Sequence, residues 1–386
     1  MKRKKRSIPI ILSFIVVLIL ILLLSKFINY RQQRAPVPSE TAAPSSMPPE
    51  TPEETPSGTP DTNEGPNGGP GQSPVIRTDY DAFKPNEAGE IPVIMFHRFV
   101  EKYEPDTDKF FATTFTEFET LLQTLYDQGF RPISMRDFID CNISVPAGTM
   151  PMVFTFDDGS AGQFNLIEEN GSLKVNPKSA AGIMIAFHEK HPNFGLKGIF
   201  YVNMDIGENT FLGEGTLRER FECLESLGFE LGNHTYGHVD YNDINNAGEM
   251  QESLGRNQAE AGKILPGLRF YSLALPYGSR PKDESLRGYL QNGTYEGINY
   301  YHETIMAVGA APTQPSINKI YNSQYVPRIR GQGKEPVDAD LTWWLPKMTR
   351  ERMFVSDGDP KTIVVPADKK ENVDGGKLGD KKLISY

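Results

Sequence analysis

Two short segments hold the residues best suited to chemistry, Thr155-Phe156-Asp157-Asp158-Gly159 and His234-Thr235-Tyr236-Gly237-His238. The first sets two carboxylates side by side after the apolar run Met152-Val153-Phe154, and the second sets two imidazoles four positions apart after Phe229-Glu230-Leu231. One carboxylate with two imidazoles is a ligand set of catalytic zinc sites, which keep one coordination position open for water or substrate. The other carboxylate is then left to act as a base. That combination points to metal-assisted hydrolysis. Each half is weak alone: Asp-Asp-Gly is an ordinary turn sequence, and a histidine pair at this spacing is often incidental surface.

Positioning these groups requires strands that end at the right places. Candidate strands are 91–96, 152–156, 198–202, 229–233, 270–274 and 325–329. Between them, Phe115, Phe118, Leu121, Leu122, Leu125 and Tyr126 recur at helical spacing, with Thr114 or Thr116 as the cap. Further helices are expected over 179–190, 216–227 and 247–264. Strands separated by helices imply a parallel sheet with crossovers, open or closed into a barrel, whose active groups sit at the carboxyl ends of the strands. Asp157, Asp158, His234 and His97 each fall at or just past such an end. Neighbouring residues on a strand point to opposite sides, so two adjacent aspartates share one site only where the backbone turns, and Gly159 gives that freedom. His188 and His191 close a predicted helix, where cations are favourable for ordinary reasons. Residues 160–180 lack periodicity and read as a solvated loop.

Taken together, these residues resemble the polysaccharide deacetylases (carbohydrate esterase family 4). Thr155 to Gly159 resembles that family's first motif and His234 to His238 its second. Lys197-Gly198-Ile199-Phe200-Tyr201-Val202-Asn203 is similar to the strand between them, and Leu275-Pro276-Tyr277-Gly278 to part of the third. The resemblance spans roughly residues 90–330. It implies an α/β fold, a distorted (β/α) barrel, holding a divalent metal through Asp158, His234 and His238. Zinc is the expected ion, although this ligand set also accepts other first-row metals. It further implies Asp157 as general base and the backbone amide of Tyr277 as an oxyanion donor.

Two positions depart from the family pattern. The third motif normally carries an arginine that holds the base aspartate, and Ala274 stands in its place; Arg328, in Val326-Pro327-Arg328-Ile329, is the candidate substitute, ahead of Arg269. The late Leu-x-x-His motif has no match near the C-terminus, and His302 lacks a preceding apolar strand. His97 closes the apolar stretch Ile91-Pro92-Val93-Ile94-Met95-Phe96 instead. This resembles the permuted branch of the family, in which that strand and its histidine open the domain. A histidine suits protonation of a departing amine.

The rest of the chain sets the context. Net charge is −10 over 386 residues. Residues 1–34 carry +8 and residues 35–74 carry −6, which leaves −12 for the remainder. An acidic domain argues against a nucleic-acid partner, whose phosphates attract Lys and Arg. Cys141 and Cys223 indicate no disulfide framework. Residues 2–6 are basic and residues 8–24 are apolar, reaching about 25 Å as a helix. No small-x-small cleavage site follows, so an uncleaved anchor is expected over 1–34, with its N-terminus inside and the remainder extracytoplasmic. The Pro-rich stretch 35–74 reads as a semi-extended tether.

The expected organisation is therefore anchor, linker, catalytic domain over 75–335 and a C-terminal extension over 336–386. In that extension Trp343 and Trp344 are expected to pack, and the charged, Gly-rich end after Ala367 to be mobile. The expected activity is removal of N-acetyl groups from an amino-sugar polysaccharide near the membrane, such as peptidoglycan or poly-N-acetylglucosamine. Two alternatives are a weakly catalytic glycan-binding module and a carbohydrate O-acetyl esterase.

Overall fold

The computed structural model describes residues 76–205, 210–331 and 337–386. The expected anchor (1–34) and linker (35–74) lie outside these residues. Among the described residues no helix is long and apolar enough to cross a membrane.

A curled parallel sheet organises the domain. Its strands are β1 (Val93–Phe96), β2 (Phe130–Pro132), β3 (Met150–Asp157), β4 (Ile199–Val202), β5 (Glu230–Asn233), β6 (Ser272–Ala274), β7 (Thr304–Met306) and β8 (Ile329–Arg330). Their order is β7-β6-β5-β4-β3-β1-β8, with β2 alongside the first half of β3. A single parallel bridge, Met306 to Val326, brings the chain ahead of β8 against β7, so the edges approach each other. This architecture is consistent with the expected (β/α) barrel. All eight residues of β3 are buried. Covered on both faces, such a strand reads as a continuous apolar run rather than an alternating one, hence Met-Pro-Met-Val-Phe-Thr-Phe.

Four main helices pack outside: α1 (Phe115–Asp127), α2 (Ala180–Lys190), α3 (Leu217–Ser226) and α4 (Ala247–Ile264). Thr114 caps α1 in a reciprocal box with Glu117, and Thr216 with Glu219 does the same for α3. Each box satisfies backbone donors that a helix start leaves orphaned. On α1 the residues Phe118, Leu121, Leu122 and Leu125 turn inward, the i, i+3, i+4, i+7 stripe of an amphipathic helix. Phe118 meets Phe96, Phe99 and Phe154 with ring centroids 4.9–6.3 Å apart. Removing its ring costs about 3–5 kcal/mol by the usual cavity penalty.

Register does the positioning. Phe96 pairs with Phe156, which sets His97 level with Asp157. Val202 pairs with Asn233, and Asn233 with Leu273, so His234 emerges level with Ala274.

Three expectations are corrected. The strand expected over 325–329 starts only at Ile329, because Pro327 offers no backbone donor to a ladder. The stretch 160–180 contains a hairpin, Leu166–Glu169 with Ser172–Val175. The end after Ala367 is not mobile: Lys382–Ser385 pairs in parallel with Thr362–Val365, and the Tyr386 hydroxyl donates to the Pro85 carbonyl at 3.0 Å. Met353, Phe354, Val355, Ile363 and Val365 are buried in the same clusters as β1 and β3. The described part of the extension is thus core and not an appendage. Trp344 is buried and its indole donates to the Ala310 carbonyl at 2.9 Å. Both cysteines are free, Cys141 buried and Cys223 half-buried.

Candidate metal and catalytic site

The carboxyl ends of β1, β3 and β5 meet the loop after β6. Asp157, the last residue of β3, is 1% exposed. Both its oxygens accept from Arg328, Nη1 to Oδ1 at 2.7 Å and Nη2 to Oδ2 at 2.7 Å. This two-pronged pair has the strong, directional geometry of guanidinium and carboxylate. Arg328 is itself fully buried, and it further donates to the Thr155 hydroxyl at 3.1 Å and the Ala307 carbonyl at 3.0 Å. Burial opposes ionisation of Asp157, but Arg328 and His234 outweigh it and bring its pKa below the usual value.

Asp158 turns the other way. Its φ of +82° and that of Gly159, +68°, are the left-handed turn that lets both carboxylates face one site. Asp158 Oδ1 lies 3.2 Å from His234 Nε2 and 3.4 Å from His238 Nε2. One donor atom from each of the three residues falls within 4.8 Å of the others. Despite partial burial, the neighbouring imidazoles hold Asp158 well below the ordinary carboxylate range.

The donor set fits a divalent cation. His234 is buried, and its Nδ1 sits 2.9 Å from the Ala274 carbonyl. A carbonyl only accepts, so Nδ1 carries the proton and Nε2 offers a lone pair toward Asp158. That Nε2 is buried without an aligned hydrogen bond. Burial disfavours the charged form of His234, and Asp157 and Asp158 overcome it to raise its pKa. His238 moves the opposite way, through burial and the neighbouring His234.

His97 stands across from the base aspartate, Nε2 lying 3.9 Å from Asp157 Oδ2. Burial lowers its pKa, partly offset by Asp157 and Asp158. Phe111 packs edge-on against its ring, with centroids 4.9 Å apart. Tyr277 is 67% exposed and its ring lies against His238, centroids 4.7 Å apart. Its φ is +56°, within the short turn Pro276–Gly278. Asp158, Thr235, His238 and Tyr277 thus all adopt positive φ without being glycine. Such strain concentrates where a site over-determines the backbone.

Every site residue expected from the sequence is therefore in this one cluster. Arg269 and His302 are elsewhere. Arg269 is exposed and donates to the Leu268 carbonyl. His302 is fully buried; it accepts from Asn233 Nδ2 at 3.1 Å and contacts the Leu290 carbonyl through Nδ1 at 2.7 Å, with burial lowering its pKa to about 4. The sequence reading missed a buried amide network behind the histidines. Asn203 donates to the carbonyls of His234 and Thr235. Asn233 accepts from the Thr235 amide at 2.9 Å and from Asn257 Nδ2 at 2.8 Å. Its only sequence signal was three asparagines at or beside apolar strand and helix positions.

No curated protein matches the sequence. Among solved structures, a polysaccharide deacetylase from Bacillus cereus is 19% identical, covering 65% of this chain and 67% of the other, with a TM-score of 0.48. The deacetylase PplD of Streptococcus pyogenes, in complex with acetate, is 15% identical, covering 64% and 93%, with a TM-score of 0.46. IcaB from Ammonifex degensii is 18% identical, covering 64% and 94%, with a TM-score of 0.44. The family model described as polysaccharide deacetylase matches residues 145–296, which include Asp157, Asp158, His234, His238 and Tyr277. Residues 145–296 of this chain form a polysaccharide deacetylase domain.

Proposed function

We propose that this chain is a metal-dependent deacetylase that removes N-acetyl groups from an amino-sugar polysaccharide. One observation carries the reading: Asp158, His234 and His238 converge within 4.8 Å beside an aspartate that Arg328 grips with both nitrogens. A divalent cation, zinc in the first instance, held by those three residues would supply Lewis-acid activation of water and of the acetyl carbonyl. Asp157, kept ionised and oriented by Arg328, accepts the proton of the attacking water at Oδ2. The Tyr277 amide donates to the oxyanion that develops on the carbonyl. His97 delivers a proton from Nε2 to the departing amine nitrogen. Water is consumed, and acetate and a free amino sugar are released.

The sequence adds a setting. The basic and apolar residues of 1–34 support a membrane anchor with the domain outside the cytoplasm, and 35–74 a tether. A substrate within reach of such a tether is cell-wall peptidoglycan or a surface poly-N-acetylglucosamine. IcaB and PplD set no precedent for the glycan at their identity to this chain, so substrate choice rests on assay. Acetate release from chitin oligomers and peptidoglycan, set against acetylated xylan, tests the reading. Release from the N-acetylated glycans that a chelator abolishes supports it. Release from xylan alone would make the protein an O-acetyl esterase, and glycan binding without any release would make it a binding module.

A further inference from the structure

The β1–β3 ladder ends at the pair Phe96 and Phe156, one residue short of His97 and Asp157. The two groups that must face each other across the scissile bond are therefore not themselves paired in that ladder, although Asp157 still pairs with Tyr201 of β4 on its other side. Among the described residues one side chain bonds the main chain of both. Gln163 is fully buried, and its Nε2 donates to the main-chain carbonyl of His97 at 2.5 Å and to that of Asp157.

We propose that Gln163 is a positioning residue that fixes His97 and Asp157 relative to one another by clamping both main-chain carbonyls. The inference rests on reading Asp157 as base and His97 as acid.

The chemistry of the clamp is specific. Two carbonyl oxygens in reach of one atom need a nitrogen with two hydrogens, which a primary amide offers without bringing in a charge. The reverse orientation would aim an acceptor at two acceptors. The clamp is also anchored. The Gln163 amide donates to the Ser160 carbonyl at 3.0 Å, and the first amides of α2 hold the preceding turn, Ala180 to Gly162 at 2.9 Å and Ala181 to Gln163 at 2.9 Å. Gly162 lets this turn press onto the strand beyond His97, since a Cβ there would stand 2.2 Å from the Phe99 carbonyl oxygen. The Ser160 hydroxyl adds a longer contact to the His97 carbonyl at 3.4 Å. Helix, turn and amide are thus joined by hydrogen bonds into one unit bearing on both main chains. Misplacing a reacting group by an ångström can cost about 100-fold in rate, so such a unit has a catalytic consequence.

The test uses the full chain with Gln163→Met, which keeps the length and loses the donors, and Gln163→Glu, which keeps the shape and turns lone pairs toward the carbonyls. Each is also combined with His97→Ala. Expected for both single variants is a fall in kcat for acetate release from N-acetylglucosamine oligomers of about tenfold or more, with KM within about twofold. Zinc affinity should fall by a much smaller factor than kcat, because the Gln163 side chain bonds the main chain ahead of Asp158 and not the carboxylate or imidazoles of Asp158, His234 and His238. On the His97→Ala background the loss should shrink, since there is no longer an acid to misplace. A crystal structure of the Gln163→Met chain should show the His97 Nε2 to Asp157 Oδ2 separation altered by more than about 0.5 Å. Wild-type kcat in both variants, or an equal fold-loss with and without His97, would overturn the proposal. If the wild-type chain releases no acetate from any glycan, the functional reading fails, and the crystal structures still judge the clamp: an unaltered separation refutes it.

Discussion

Two buried carboxyl groups at different places in the fold meet opposite fates. Asp157, at the carboxyl end of β3, and Glu87, on the segment ahead of β1, are each 1% exposed. Asp157 faces a guanidinium through two short bonds and is held ionised. Among the described residues Glu87 has no such cation. It accepts from the amides of Val364 at 2.7 Å and Asp357 at 3.1 Å and lies beside the Asp357 carboxyl, so burial and then that neighbour push its pKa well above the usual value. Equal burial therefore does not mark a site. What distinguishes Asp157 is a compensated charge left open on one side, toward His97 and the paired histidines. Glu87 instead stitches the start of the domain to the strand Thr362–Val365, a seam.

Changing the charge itself separates the two most sharply. Asp157→Asn should lower kcat by about 10²–10⁴-fold while the protein stays folded, as expected for loss of a general base. Glu87→Gln should leave kcat unaltered in the same acetate assay. Removing the compensating cation is next in size. Arg328→Met leaves Asp157 buried and unpaired, which should cost about 3–5 kcal/mol in chemical denaturation. A loss near zero would mean that water, and not Arg328, carries that charge. On the seam side, Ile363→Ala should cost about 2–5 kcal/mol, because the side chain is 1% exposed and its removal leaves a cavity. A negligible cost would return residues 337–386 to the status of an appendage.

The smallest effect concerns pH. A carboxyl whose folded pKa is raised favours the native state below its unfolded value, here 4.5, and that contribution is lost as pH rises through the folded pKa. Wild type should therefore lose stability relative to Glu87→Gln as pH rises from about 4.5 upward, read as diverging melting temperatures. Parallel curves would show Glu87 ionised in the fold. Asp157 predicts the reverse trend for its own contribution, present above its unfolded value and lost on acidification.

Much of the positioning frame was legible because strands buried on both faces advertise themselves as apolar runs. Met152 to Phe156 and Ile199 to Val202 needed nothing more. Asp157, Asp158, His234 and His97 were legible because each falls at or just past such a run, whereas Arg328 precedes the strand that begins at Ile329. What stayed hidden depended on contacts distant in sequence. Gln163 looks like one polar residue in a loop, and only the ladder's end between Phe96 and Phe156 gives it a task. Glu87 and Asp357 are 270 residues apart. The hairpin over 166–175 did carry a local signal, since Asn170-Gly171 adopts φ of +54° and +75°, the pair of positive values a two-residue primed turn demands. The tail was misread because its lysines and glycines masked the spacing of Leu378 and Leu383, which pack against the core.

The central claim is that Asp158, His234 and His238 hold a cation that serves the Asp157 base. The most direct measurement follows acetate release from N-acetylglucosamine oligomers by the wild-type chain, by chelated and zinc-restored protein, and by Asp158→Ala and Asp157→Asn beside zinc-binding isotherms. The account predicts release that chelation abolishes and zinc restores, loss of zinc binding only in Asp158→Ala, and loss of release in both variants. Release that survives chelation, or that persists in Asp157→Asn, would contradict it.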